Sequence, residues 1–175
     1  MNFDMDVFLE YMVSRKKDGK DYLMNGLLVV AAIVVAAILS VVAEQVGMGQ
    51  LNLLILAGVC YGAIQLIASR NVEFEYIVTN GEIDVDKIIS RKRRKRLLSA
   101  NMRHAIIVAR MDDAQYKNEF NQTTQKTITA VSSMTAPNIY FAIVPTKEQT
   151  VKLIFEPSER MLEAFRMINP RNVHI

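Results

Sequence analysis

The sequence predicts an α+β protein with a membrane anchor: a transmembrane helical hairpin, then seven short strands closed by one carboxy-terminal α-helix. Three observations carry this reading. Residues 22–43 and 51–68 are apolar runs separated only by residues 44–50, and about 20 apolar residues at 1.5 Å rise cover the hydrocarbon core of a bilayer. From Asn71 the apolar period changes from helical to two. Near the end of the chain, Met161, Leu162, Phe165 and Ile168 restore a helical stripe.

Composition divides in the same place. Hydrophobic residues make up 51% of the 175-residue chain. Up to Ser69 there are four basic and six acidic residues, whereas Arg70 onward holds seventeen basic and twelve acidic. The excess positive charge therefore belongs to the domain after the anchor. Three segments are expected: an amino-terminal amphipathic or juxtamembrane segment over 1–21, the hairpin over 22–69, and a cytoplasmic β domain over 70–175 with its helix at 158–169.

In the first segment Val7, Phe8, Tyr11 and Met12 share one helical face, with Asp4 and Asp6 before them and Arg15, Lys16 and Lys17 after. That charge order suits the helix dipole. Such a helix either lies on the inner leaflet, packs on the domain, or runs on into the first membrane helix. The first apolar run begins after some twenty polar and mixed residues and precedes no small-x-small cleavage site, so it is expected to be retained rather than removed as a signal peptide.

Orientation follows from the cations. Arg15, Lys16, Lys17 and Lys20 precede the hairpin, Arg70 follows it, and the connecting loop has neither Lys nor Arg. Both termini are therefore expected in the cytoplasm, in a plasma membrane of bacterial type. Within the runs, Ala32, Ala36 and Ser40 recur at four-residue spacing and Gly58 and Gly62 form a Gly-x-x-x-Gly pair. Small residues at this spacing let backbones approach, within the hairpin or between copies in a homo-oligomer. No intramembrane acid or base suggests a transport path. Cys60, the single cysteine, lies in the second run and excludes an intrachain disulfide.

In the domain, Val72, Phe74, Tyr76 and Val78 alternate with polar or mixed positions, Asn80-Gly81 supplies a type I′ turn, and Ile83 and Val85 continue the alternation on the way back. Further strands are expected over 92–98, 104–110, 127–133, 139–145 and 150–156. Ser158 is the expected N-cap of the last helix, and Asn169-Pro170 its stop. Residues 111–125 are polar apart from Met111, Tyr116 and Phe120, and read as a loop with one helical turn through those two aromatics.

This order of elements, with the opening Glu75-Tyr76-Ile77-Val78-Thr79-Asn80-Gly81 hairpin, resembles the pleckstrin-homology-like (PH-like) fold of bacterial membrane-anchored domains. Gly19-Lys20-Asp21-Tyr22 and the segment from Asp86 to Leu97 are similar to a bacterial family with two amino-terminal membrane helices before such a domain. The resemblance implies a seven-stranded, partly open β-barrel with a helix plugging one end. PH-like folds host lipid binding, peptide binding and scaffolding alike, so the resemblance speaks to fold more than to function.

The candidate site is a run of six cations: Arg91, Lys92, Arg93, Arg94, Lys95 and Arg96. A first strand starting at the headgroups travels about 25 Å at about 3.3 Å per residue, and its return strand brings the run back toward the membrane. There the cations could meet anionic phospholipid headgroups or a protein partner. They could equally form cross-strand ion pairs with Glu73, Glu75, Glu82, Asp84 and Asp86. Nucleic acid is the least favoured partner, since no aromatic residues interleave the cations as stacking platforms. No cofactor or metal is expected. His104 and His174 lack metal-ligand spacing, and no phosphate-binding loop or nucleophile elbow is present. The expected function is that of a non-enzymatic, membrane-anchored adaptor or scaffold, with a structural subunit of a membrane assembly as the alternative.

Overall fold

The computed structural model describes residues 8–175. It contains two compact units, one comprising Lys16–Asn71 and the other combining the segment up to Arg15 with Val72–Ile175.

The first unit is the helical hairpin. α1 (Gly19–Gln45), and α2 (Asn52–Ala68) taken together with the 3-10 turn Gly49–Leu51 that leads into it, are both apolar and long enough to cross a membrane, by length and composition. At the open end the Asp18 amide donates to Asp21 Oδ2 at 3.2 Å, and Arg70 donates to Asp21 Oδ1 at 2.9 Å. At the closed end Asn52 Nδ2 donates to Glu44 Oε1 at 3.3 Å. Ala36 is buried and Ala32 and Ser40 are half-buried, so this stripe lies on the least exposed face of α1. Gly58 and Gly62 behave otherwise: a Cβ at either would meet nothing within 4 Å.

The second unit opens with a correction. β1 (Phe8–Ser14) is a strand, not the amphipathic helix its spacing suggests, and it pairs antiparallel with β2 (Val72–Thr79). Val7, Asp4 and Asp6 lie outside the described residues. The helical reading fails because Leu9, Tyr11 and Val13 face the core at period two, while Phe8 and Met12 on the other face blur that alternation. The domain therefore does not begin at residue 70. The hairpin is inserted into it, between two neighbouring strands.

β3 (Glu82–Ile89) and β4 (Arg93–Asn101) complete a four-stranded antiparallel sheet in the order β1-β2-β3-β4. Asn80 and Gly81 form the expected left-handed turn, with φ of 50° and 89°. The positive φ favours glycine at 81, and a Cβ there would also lie 2.8 Å from the tip of Ile168, which would have to turn aside. A second sheet has the order β5-β7-β8-β6, from β5 (Ile107–Arg110), β6 (Lys126–Ala130), β7 (Tyr140–Pro145) and β8 (Thr150–Phe155). β6 runs parallel to β8 and the other neighbours are antiparallel. Where a seven-stranded, partly open barrel is expected, the described residues hold eight strands, the addition being β1, arranged as two four-stranded sheets.

Between the sheets lies the main core, which includes Tyr76, Val85, Phe155, Met161 and Phe165. α4 (Glu159–Ile168) packs on it through Met161, Leu162 and Phe165. Its N-cap is Ser158, as the sequence predicts, accepting from the Met161 amide. The far face of the second sheet has a smaller core of its own, in which Phe141 and Ile154 meet Tyr116 and Phe120 from residues 111–125. That stretch carries a 3-10 turn over Ala114–Tyr116 running into α3 (Lys117–Asn121), so the helical turn expected through Tyr116 and Phe120 is divided between two short helices. Lys152, buried in β8, fastens it by donating to the Gln122 carbonyl at 2.7 Å and to the Phe120 carbonyl.

Candidate anion-binding surface

Strand alternation splits the basic run. β4 pairs with β3 in a register that sets Ala100 against Ile83 and Leu98 against Val85, then Arg96 against Asp86, with Leu97 as the extra residue of a bulge. A bulge of one residue exchanges the faces of everything beyond it. Leu98 and Ala100 point into the core, and without the bulge Arg96 and Arg94 would share their side. With it, those two arginines join the outer face and meet the carboxylates of β2 and β3.

There they are neutralised. Arg94 lies 2.7 Å from Glu75 Oε2 and 3.7 Å from Asp86 Oδ2, while Arg96 lies 2.7 Å from Asp84 Oδ2 and also binds Asp86. Arg91, at the turn, reaches Glu73 at 3.4 Å with its own side chain 85% exposed. Glu75 and Asp86 stand directly opposite each other and are 2% and 1% exposed. Two buried carboxylates in register repel, so the arginines above them are structural. Burial pushes the Glu75 carboxyl up from the ordinary carboxylate range, Arg94 draws it down, and the neighbouring Glu10 raises it again.

The remaining cations face the other way. Lys95 stands opposite Lys87 and Arg93 opposite Ile89, on the side of the sheet that carries Phe74 and Val72. Lys87 is half-buried, Arg93 and Lys95 are exposed, and neither these three nor Lys92 enters an ion pair among the described residues. Like charges held directly across a sheet disfavour the pairing by about 0.2–1 kcal/mol. Lys87 is the member that the run does not reveal, because only the register brings it beside Lys95.

The turn joining β3 to β4 is held in an uncommon shape. Ser90 and Arg91 have φ of 54° and 55°, and the Lys92 amide donates to the Ile89 carbonyl at 3.1 Å. Left-handed backbone at a non-glycine residue costs on the order of 1 kcal/mol. The same end of the sheet holds both connections to the hairpin: residues 15–18 after β1 and residues 69–71 before β2. There the Arg15 amide donates to the Val72 carbonyl at 2.9 Å.

The histidines lie apart from each other. His174 stacks on Tyr116 with ring centroids 4.4 Å apart. His104 lines an open groove of about 640 Å³ along β4, with Ser99, Asn101 and Lys126 among its walls.

Comparison with known proteins gives one result. The sequence model of a family described as Bacterial PH-like domain (DUF6106) matches residues 5–175. Neither a search of curated proteins nor one of solved structures returned a match.

Proposed function

We propose, from the premise that this chain belongs to the bacterial PH-like domain family, that it is a non-enzymatic adaptor anchored in the bacterial plasma membrane. Its PH-like domain works at the inner leaflet, on anionic lipid or on a partner held there. The observation that carries this reading is the insertion of the apolar hairpin between β1 and β2. A domain built from both flanks of a hairpin needs both flanks on one side of the bilayer, and two crossings deliver that. The cations of the flanks and the cation-free loop favour the cytoplasmic side. Three connecting residues reach at most about 11 Å fully extended, so an embedded hairpin would bring the start of β2 to within that reach of the end of α2.

Cysteine accessibility tests the arrangement. In a Cys60→Ser background, Gln50→Cys should react with a membrane-impermeant maleimide from outside the cell, and Lys147→Cys only in inverted vesicles. The opposite pattern, or release of the chain by alkaline carbonate, would defeat the proposal.

One observation favours the second reading, a structural subunit that oligomerises through its helices. The Gly58–Gly62 surface of α2 is open, with nothing within 4 Å of either added Cβ. Under that reading, replacing both glycines with Leu removes crosslinked oligomers from native membranes and leaves the domain folded.

A further inference from the structure

We infer that the partner of the basic end is the anionic headgroup layer of the membrane in which the hairpin sits, and that Lys87, Arg93 and Lys95, with Lys92 beside them, receive it. This rests on the anchored reading above and deepens it. The geometry selects these residues out of the run. Arg94 and Arg96 are held by Glu75, Asp84 and Asp86 on the outer face, and Arg91, itself exposed, makes a longer contact with Glu73 on that face. Neutralising the other four would require a partner from outside the described residues, since no carboxylate of the sheet pairs with them.

The layout of the charges says what kind of anion fits. Lys87 and Lys95 stand abreast on adjacent strands, and Arg93 lies two residues along β4 on the same face. Arg93 and Lys95 are exposed, and none of the four cations lines the groove along β4. A small free phosphate is held by convergent donors in a concave site. An array of cations spread along two strands instead matches an extended negative surface, where each one within about 8–10 Å of the headgroups strengthens contact about fivefold. Two short connections at this end confine the array near such a surface, which makes the contact intramolecular.

The test uses the full chain in proteoliposomes. A Cys60→Ser, Ser90→Cys version carries an environment-sensitive fluorophore beside the patch, and lipids spin-labelled at the headgroup quench it on contact. Quenching should be strong in vesicles with about 30% phosphatidylglycerol, weak in pure phosphatidylcholine, lost in 0.5 M NaCl and unaffected by millimolar glycerophosphate. Lys87→Gln/Arg93→Gln/Lys95→Gln should weaken contact by on the order of a hundredfold. The charge-preserving Lys87→Arg/Arg93→Lys/Lys95→Arg should keep it, as should Lys147→Gln/Arg160→Gln/Arg166→Gln, which removes equal charge elsewhere. Thermal melting of each variant separates lost contact from lost fold. Equal quenching in neutral and anionic vesicles overturns the lipid assignment, and so does competition by soluble polyglutamate without lipid dependence, which would indicate an acidic protein surface. Persistence of quenching in the folded triple Gln variant overturns the choice of residues. Carbonate extraction of the chain from the same vesicles would instead defeat the anchored reading, so the two failures are distinguishable.

Discussion

The Tyr76 hydroxyl donates to the Ala130 carbonyl and accepts from the Glu156 amide at 3.3 Å, so one buried side chain of the first sheet satisfies two backbone groups of the second. Its ring lies edge-on to Phe155 at 6.0 Å. Tyr76→Phe keeps the ring and orphans those groups, which should cost about 1–3 kcal/mol in urea unfolding. An unchanged midpoint would mean that water reaches them. Glu75 makes a prediction of opposite character. Its carboxyl is raised above the ordinary range, so between the unfolded and folded values the native state binds more protons than the unfolded chain. Its contribution to stability therefore falls as pH rises through that window. Glu75→Gln should raise the melting temperature relative to the parent at pH 7, and the difference should shrink as the pH is lowered toward 4.

Elements show where local pattern is enough and where it is not. β2, β3 and α4 follow from alternation, from Asn80-Gly81 and from the Ser158 cap, because each of those signals is contained within a few neighbouring residues, whereas the strand expected over 104–110 begins only at Ile107, after a 3-10 turn over Met102–His104, and the one expected over 127–133 ends at Ala130. β1 is different. Its partner lies across the whole hairpin, and Phe8 and Met12 make it apolar on both faces, so helical and strand periods compete on equal terms. The site divides in the same way. The run 91–96 is plain in the sequence, but its division into paired and unpaired halves depends on one bulged residue, Leu97, and on the register that adds Lys87. At the turn between β2 and β3, Gly81→Ala should destabilise by about 1–3 kcal/mol through its positive φ and the approach of Ile168. Chemical denaturation would measure it, and Ile168→Val should recover the steric part alone. Lys152→Met should loosen residues 111–125, read as faster proteolysis there with little change in the global melt, since the lysine holds two carbonyls of that segment.

At the scale of the whole molecule, the chain behaves as a folded domain interrupted by an apolar insert. Ser14 pairs with Glu73, and Arg15 bonds to Val72, so the ends of the insert are already in hairpin register. Replacing Lys16–Asn71 with Asn-Gly should therefore yield a monomeric, soluble domain with a cooperative melt and dispersed amide resonances. A molten or aggregated product would show that the domain needs its helices to fold.

That interruption also sets an order of events during synthesis. β1 leaves the ribosome before its partner and cannot pair with β2 until the hairpin and then Val72–Thr79 have followed it. Closing so long a loop in free solution is entropically unfavourable, and a hairpin whose two ends emerge side by side removes most of that cost. Under the anchored reading proposed above, translocation and completion of the sheet would be coupled, and a copy that missed the bilayer would have to close the long loop between β1 and β2 unaided.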